Sequence, residues 1–142
     1  MNETHKYMRK LCEIAFDIAE TMSLNLSVVA TDLGGHPVVV LRGDRTSFAS
    51  LEAARRKSVA ASTMLMSTSA LADMFSKDEL VQRAVHASGD MLVVPGGFPI
   101  MFGDGCVGGL GLAGGHYSED QVVGEQAFTR LLESSGKAKA AS

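Results

Sequence analysis

"GGFPIMFGDGCVGGLGLAGGHYSEDQ", Gly96 to Gln121, is the stretch on which the fold turns, since nine of its first twenty positions are glycine. Glycine disfavours the interior of a strand or a helix by roughly 0.5–1 kcal/mol per residue, so this density needs a structural reason. A phosphate cradle is one. Gly103–Gly108 and Gly109–Gly114 both spell GxGxxG. That fingerprint should leave a strand, open a helix facing pyrophosphate, and precede an acidic residue on the next parallel strand by about 20 positions. Here the first match falls in a hairpin turn and the second along a strand, with only one helix after them. There is no GxxxxGK[ST] either.

Strand geometry accounts for more. Side chains alternate between faces along a strand. Val107, Gly109, Gly111 and Ala113 therefore point one way, and Gly108, Leu110 and Leu112 the other. The second set makes a core face, while the first is bare past Val107. Missing Cβ atoms on a strand mark the close approach of a helix, another backbone or a ligand. Two corners of small residues, Pro95–Pro99 and Gly114-Gly115-His116, open space at strand ends.

Outward from this stretch, the periodicity predicts a helix from Glu3 to Met22, with Met8, Leu11, Ala15 and Ile18 on its apolar face. Leu26–Thr31 and His36–Arg42 form a hairpin around the turn Asp32-Leu33-Gly34-Gly35. A second helix begins near Ser47. Thr68–Ala87 reads as one or two short helices, with Ser76 as an N-cap ahead of Asp78 and Glu79. Met91–Val94, Phe98–Phe102 and Cys106–Gly114 read as three short strands. Ser118 opens the last helix, with Gln121 at capping-box spacing. The expected architecture is an α+β layered domain, with helices on a five-stranded, mainly antiparallel sheet. It should occupy residues 1–134 as a single domain, with a polar tail at 135–142.

A net charge of −3 argues against nucleic acid, whose phosphates need a basic face. No segment has the length and apolarity of a membrane span, and the start carries no signal-type apolar run. A cytoplasmic location follows as the expectation. Cys12 and Cys106 lack CxxC spacing and read as reduced, small apolar side chains.

The ordered set "VVATDLGGHPVVVLRGD" (Val28–Asp44), "EAARRKSVAA" (Glu52–Ala61), "PGGFPI" (Pro95–Ile100) and "CVGGLGLAGGHYSEDQVVGEQAF" (Cys106–Phe128) resembles the GlcG/HbpS family of haem-binding-type domains. That family also supplies the C-terminal domain of PduO-type cobalamin adenosyltransferases. The resemblance implies a profilin-like α/β/α sandwich, a homo-oligomer, and binding of haem or a related tetrapyrrole. It further implies an accessory role in glycerol, diol or glycolate utilisation. The alternatives are a ligand-free assembly protein partnering a cobalamin-dependent dehydratase pathway, and a haem-degrading enzyme. Carried over by motif are Asp32, Gly34, Gly35, Arg42, Asp44, Lys57, Thr68, Gly96, Gly97, Pro99 and Asp120. The chain has neither the adenosyltransferase domain nor an ExxE carboxylate pair in the central helix, so cobalamin adenosylation is not inherited.

The expected ligand-binding set is Lys57, Thr68, Gly96, Gly97, Phe98, Pro99 and His116, with His116 and His5 as candidate axial donors to haem iron. His116 is the better placed, at the mouth of the last loop. His36 reads as a turn residue, and His86 as a helix-end residue whose positive form complements the dipole. No HxH, HxxxH or Cys/His cluster points to zinc, and no GxSxG or Ser–His–carboxylate pattern points to hydrolysis. The sheet edge and the bare strand both invite a second subunit, packed on the first helix or on the glycine face.

Overall fold

In the computed structural model, which describes residues 2–134, the glycine-rich stretch runs through the middle of a sheet. The elements in order are α1 (Glu3–Thr21), β1 (Ser27–Asp32), β2 (Pro37–Arg42), α2 (Phe48–Met64), α3 (Thr68–Phe75), α4 (Glu79–Ala87), β3 (Gly97–Phe102), β4 (Gly105–Ala113) and α5 (Tyr117–Ser134). The strands pair in the order β2-β1-β4-β3, every pair antiparallel. The sheet has four strands where five were expected, and the expected tail at 135–142 lies outside the described residues.

The missing strand is Met91–Val94. Its side chains alternate as a strand's would, but its backbone finds no ladder. The Leu92 N–H donates to the Arg56 carbonyl of α2 at 3.3 Å, and the Val93 N–H donates to His86 Nε2 at 2.9 Å. Met91 and Val93 turn into a small cluster with Leu71 and Phe75 of α3. The expected strand is therefore an extended segment whose hydrogen-bond partners are supplied by helices.

One sheet face carries α1 and α5, the other α2. Leu110 and Leu112 of β4, Val28 and Ala30 of β1, and Met8, Leu11, Ala15 and Ile18 of α1 form the main core. Cys12 is buried there, and desolvation, aided by nearby Glu13, pushes its thiol up to about 12. It is an unreactive core residue.

The opposite face of β4 meets α2 directly. A Cβ on Gly109 would sit 2.1 Å from the Ser58 carbonyl oxygen, and one on Gly111 would sit 1.8 Å from that of Ala54. Real side chains tolerate no such approach, so the bare strand serves helix seating. The expectation that a second subunit could lie on it is overturned, because α2 already covers it. Thr31 Oγ1 and Ser58 Oγ, 2.9 Å apart and buried, satisfy each other across the same seam. Val107 departs from the predicted alternation. A register shift between Ile100 and Met101 gives β4 an extra residue there, and Val107 packs with the main core.

Local capping explains two more differences. Asp78, and not Ser76, caps α4, accepting from the Val81 N–H at 3.2 Å, while Ser76 ends α3. At α5 the cap lies two residues earlier than expected. Glu119 Oε1 accepts from the His116 N–H at 3.0 Å, and His116 Nδ1 accepts from the Ser118 N–H at 3.2 Å. The capping box is thus His116–Glu119, and Gln121 is free for another role.

Candidate functional site

Where β4 ends, the chain turns through Gly114 and Gly115 into α5 and passes beside the first half of α2. This leaves a cleft of about 410 Å³ lined by Ala49, Ser50, Ala53 and Lys57 of α2, by Leu92 and Val94, and by Ala113–Tyr117 and Asp120. Its walls are mostly small and apolar. Its size falls in the range of small-molecule sites, about 300–1,000 Å³.

The floor is a buried ion pair. Lys57 and Asp120 are 3% and 1% exposed, and Nζ lies 3.1 Å from Oδ2. The ammonium also donates to the Leu112 carbonyl at 2.8 Å, and Asp120 Oδ1 accepts from the Gly115 N–H at 3.2 Å. One pair therefore ties α2, β4 and α5 together under the cleft. Burial is the dominant influence on both partners: it holds Lys57 below the ordinary lysine value and Asp120 above the ordinary carboxylate value, against their mutual attraction.

Behind the floor lies the Gly96–Gly97 corner. Gly96 adopts φ 120°, a left-handed conformation that glycine alone takes readily, and a Cβ there would sit 2.9 Å from Lys57 Nζ. Its N–H donates to Gln121 Oε1 at 3.2 Å, and its carbonyl accepts from the Leu112 N–H at 2.8 Å. Thr68 Oγ1 accepts from the Gly97 N–H at 2.8 Å.

Of the expected set, the structure thus brings Lys57, Thr68, Gly96 and Gly97 together. Lys57 and His116 line the cleft, while the other three frame it from behind. Phe98 points to the other sheet face, against Phe128 at 5.6 Å. Pro99 pairs with Gly109 further along the sheet and lies outside the lining. His5 sits in the first turn of α1, on the far helix layer, and does not line the cleft. The expected set left out Ala49, Ala53, Leu92, Val94 and Tyr117. The last three carried a signal in the apolar run Met91–Val94 and the aromatic after Gly-Gly-His.

His116 stands at the rim, exposed, with its ring 4.1 Å from that of Tyr117. Its Nδ1 is an acceptor for the Ser118 N–H, which can only donate, so in the neutral ring the proton resides on Nε2. A metal-bound histidine has the opposite arrangement, donating from the nitrogen away from the metal. Coordination through Nε2 thus requires the ring to leave its cap. Among the described residues, no group of three or more His, Cys, Asp or Glu could hold a metal ion.

The phosphate reading also meets a physical obstacle here. The amides of Gly115, His116 and Ser118 at the α5 start are taken by Asp120, Glu119 and His116 itself. The protein's own carboxylates occupy the place where an anion would bind. No described helix is long and apolar enough to cross a membrane.

Fold and cleft together define a class: a helix-covered antiparallel sheet with a small-molecule-sized cleft at a strand-to-helix corner. The family described as "Haem degrading protein HbpS-like" matches residues 4–129, and the chain belongs to it. The structure of a double mutant of Streptomyces reticuli HbpS is 26% identical and superposes with a TM-score of 0.80, covering 92% of this chain and 88% of that one. A PduOC:heme complex is 24% identical with a TM-score of 0.78, covering 91% and 93% of the two chains. Klebsiella pneumoniae protein ORFY, at 18% identity and a TM-score of 0.79 over 92% and 96%, shares the fold. No curated protein sequence matches significantly.

Proposed function

We propose that this protein is a binding module for haem or a related tetrapyrrole, and that the cleft between α2 and the β4–α5 corner receives it. The observation that carries this reading is the cleft itself, with small apolar walls and an exposed His116–Tyr117 pair on its rim, in a chain of the HbpS-like family. Ala49, Ala53, Leu92, Val94 and Ala113 suit the face of a flat apolar ring, and Tyr117 offers a further apolar surface. When bound, haem supplies an iron that takes axial donors and exchanges electrons. His116 would hold the iron, and to do so its ring would release the Ser118 N–H. Lys57 contributes as the floor, its charge held by Asp120, with Thr68, Gly96 and Gly97 shaping the floor from behind. Phe98 and Pro99 act only as support. We further propose a cytoplasmic homo-oligomer accessory to glycerol, diol or glycolate metabolism.

Titrating the protein with hemin should give a saturable change with a shifted Soret band, and His116→Ala should alter the band's position. A linear, featureless response would overturn the reading. The family description favours a second reading, haem degradation. It requires loss of the Soret band with reductant and oxygen only when the protein is present.

A further inference from the structure

One wall of the cleft is held from outside by a histidine. His86, in the last turn of α4, accepts the Val93 backbone N–H at Nε2 across 2.9 Å. The two residues flanking Val93, Leu92 and Val94, face the cleft. Val93 itself turns away into the cluster beside α3. The segment has no sheet partner, and α4 buries none of its residues, meeting that cluster only through half-buried Val85. This hydrogen bond is therefore a principal attachment between them.

An imidazole nitrogen accepts a hydrogen bond only when it carries no proton. The bond exists in the neutral ring with its proton on Nδ1, and is lost in the imidazolium, whose Nε2–H would face the Val93 N–H donor to donor. The charged groups on the surrounding elements are Arg83, paired with Glu79 on the same helix, Asp73 on α3, Asp90 just before the segment, and, on α2, Arg56, Arg55 paired with Glu52, and Lys57 paired with Asp120. None of the ion pairs among the described residues involves His86, so no carboxylate offsets the lost bond.

We propose that His86 is a proton-operated latch on the cleft wall. Neutral, it holds Leu92 and Val94 in place; protonated, it releases Val93, and the wall loosens. The latched state binds one proton fewer than the released one, so acid favours release and base favours the latch. A histidine complementing the helix dipole with a positive charge would behave in the opposite sense.

The inference is independent of the ligand, and so is its test. Long-range proton–nitrogen NMR correlations at about pH 8 should show neutral His86 protonated on Nδ1; protonation on Nε2 would overturn the latch. Amide exchange should show the protection factor of Val93, relative to Leu110 in β4, falling at least about tenfold between about pH 8 and about pH 5.5. In His86→Phe it should be low at both values, with Leu110 protection reporting that the sheet is intact. Constant Val93 protection in the wild type, or a wild-type pH response in His86→Phe, would overturn it. If the variant fails to fold, the tautomer and the wild-type exchange decide.

Discussion

The two sides of the cleft are built on opposite physics. On one side α2 lies on β4 with backbone against backbone, and Ala54, Lys57, Ser58, Ala60, Ala61 and Ser62 are all buried along it. On the other side α4 buries nothing, and Met91–Val94 is held by isolated hydrogen bonds and one small apolar cluster. The seam is over-determined, since two missing side chains, a buried hydroxyl pair and an ion pair all require the same helix position. The wall is under-determined, and a single proton can alter it. The cleft thus has one fixed side and one adjustable side, which is the arrangement the proposed ligand entry would need.

The sharpest way to break this contrast is to add volume on each side. Gly111→Val places side-chain atoms where the Ala54 carbonyl lies 1.8 Å from the Cβ position, and the obstacle is helix backbone. Overpacking usually costs about 1–3 kcal/mol; here we expect about 4 kcal/mol or more, or no folded protein. Ala84→Leu adds the same number of carbons at an exposed position of α4 and should change stability by less than about 0.5 kcal/mol. Urea unfolding of both variants measures the difference, and comparable losses would show that the two sides are equally constrained.

Next in size is the floor. Lys57→Met leaves Asp120 buried without its cation, an arrangement that costs about 3 kcal/mol near neutrality. Lys57→Met combined with Asp120→Leu should recover most of that loss, since the pair's desolvation is removed along with its attraction. The sign of the pH dependence follows from burial. A carboxyl held above its ordinary value in the folded state gives stability that is greatest in acid and declines as the pH rises through that window. The Lys57→Met deficit should therefore grow from about pH 4 to neutrality. A deficit that shrinks over that range would mean that Asp120 is well solvated and that the floor is not a dry ion pair.

How much of this was readable in advance divides along the same line. The glycine alternation along β4 disclosed a close approach because strand periodicity is local and strict, and the Gly109–Gly111 face proved to be where α2 sits. Lys57, Thr68, Gly96 and Gly97 could be grouped because motifs brought them to attention, and the structure joins them. Met91–Val94 was misread as a strand because a short apolar run reports burial and not what pairs with its backbone. Its hydrogen-bond partners, Arg56 and His86, are distant in sequence or on a helix. The α5 cap was misplaced for a related reason. His116 is an unusual N-cap, and only coordinates reveal Glu119 reaching back to it. Phe98 stood next to the right glycines, but strand alternation sends it to the opposite face.

The smallest effect belongs to neither side of the cleft, and sets the scale for an exposed polar cluster. In the β1–β2 turn, Asp32 Oδ1 accepts from the Gly34 N–H at 2.9 Å and the His36 N–H at 3.0 Å. The backbone bond from His36 is the chief cause holding this carboxyl below its ordinary value. A depressed carboxyl contributes stability that is present above the ordinary carboxylate value and lost as the pH falls through the depressed one. The side chain is 39% exposed, so solvent screening limits the contribution to less than about 1 kcal/mol. Asp32→Asn keeps an oxygen acceptor for the turn while removing the charge. Its deficit relative to wild type should be small at about pH 6 and smaller still at about pH 2.5. Paired urea titrations at the two values measure it. A gap that persists or widens in acid would assign the turn's stability to the geometry of the side chain, leaving its charge without a part.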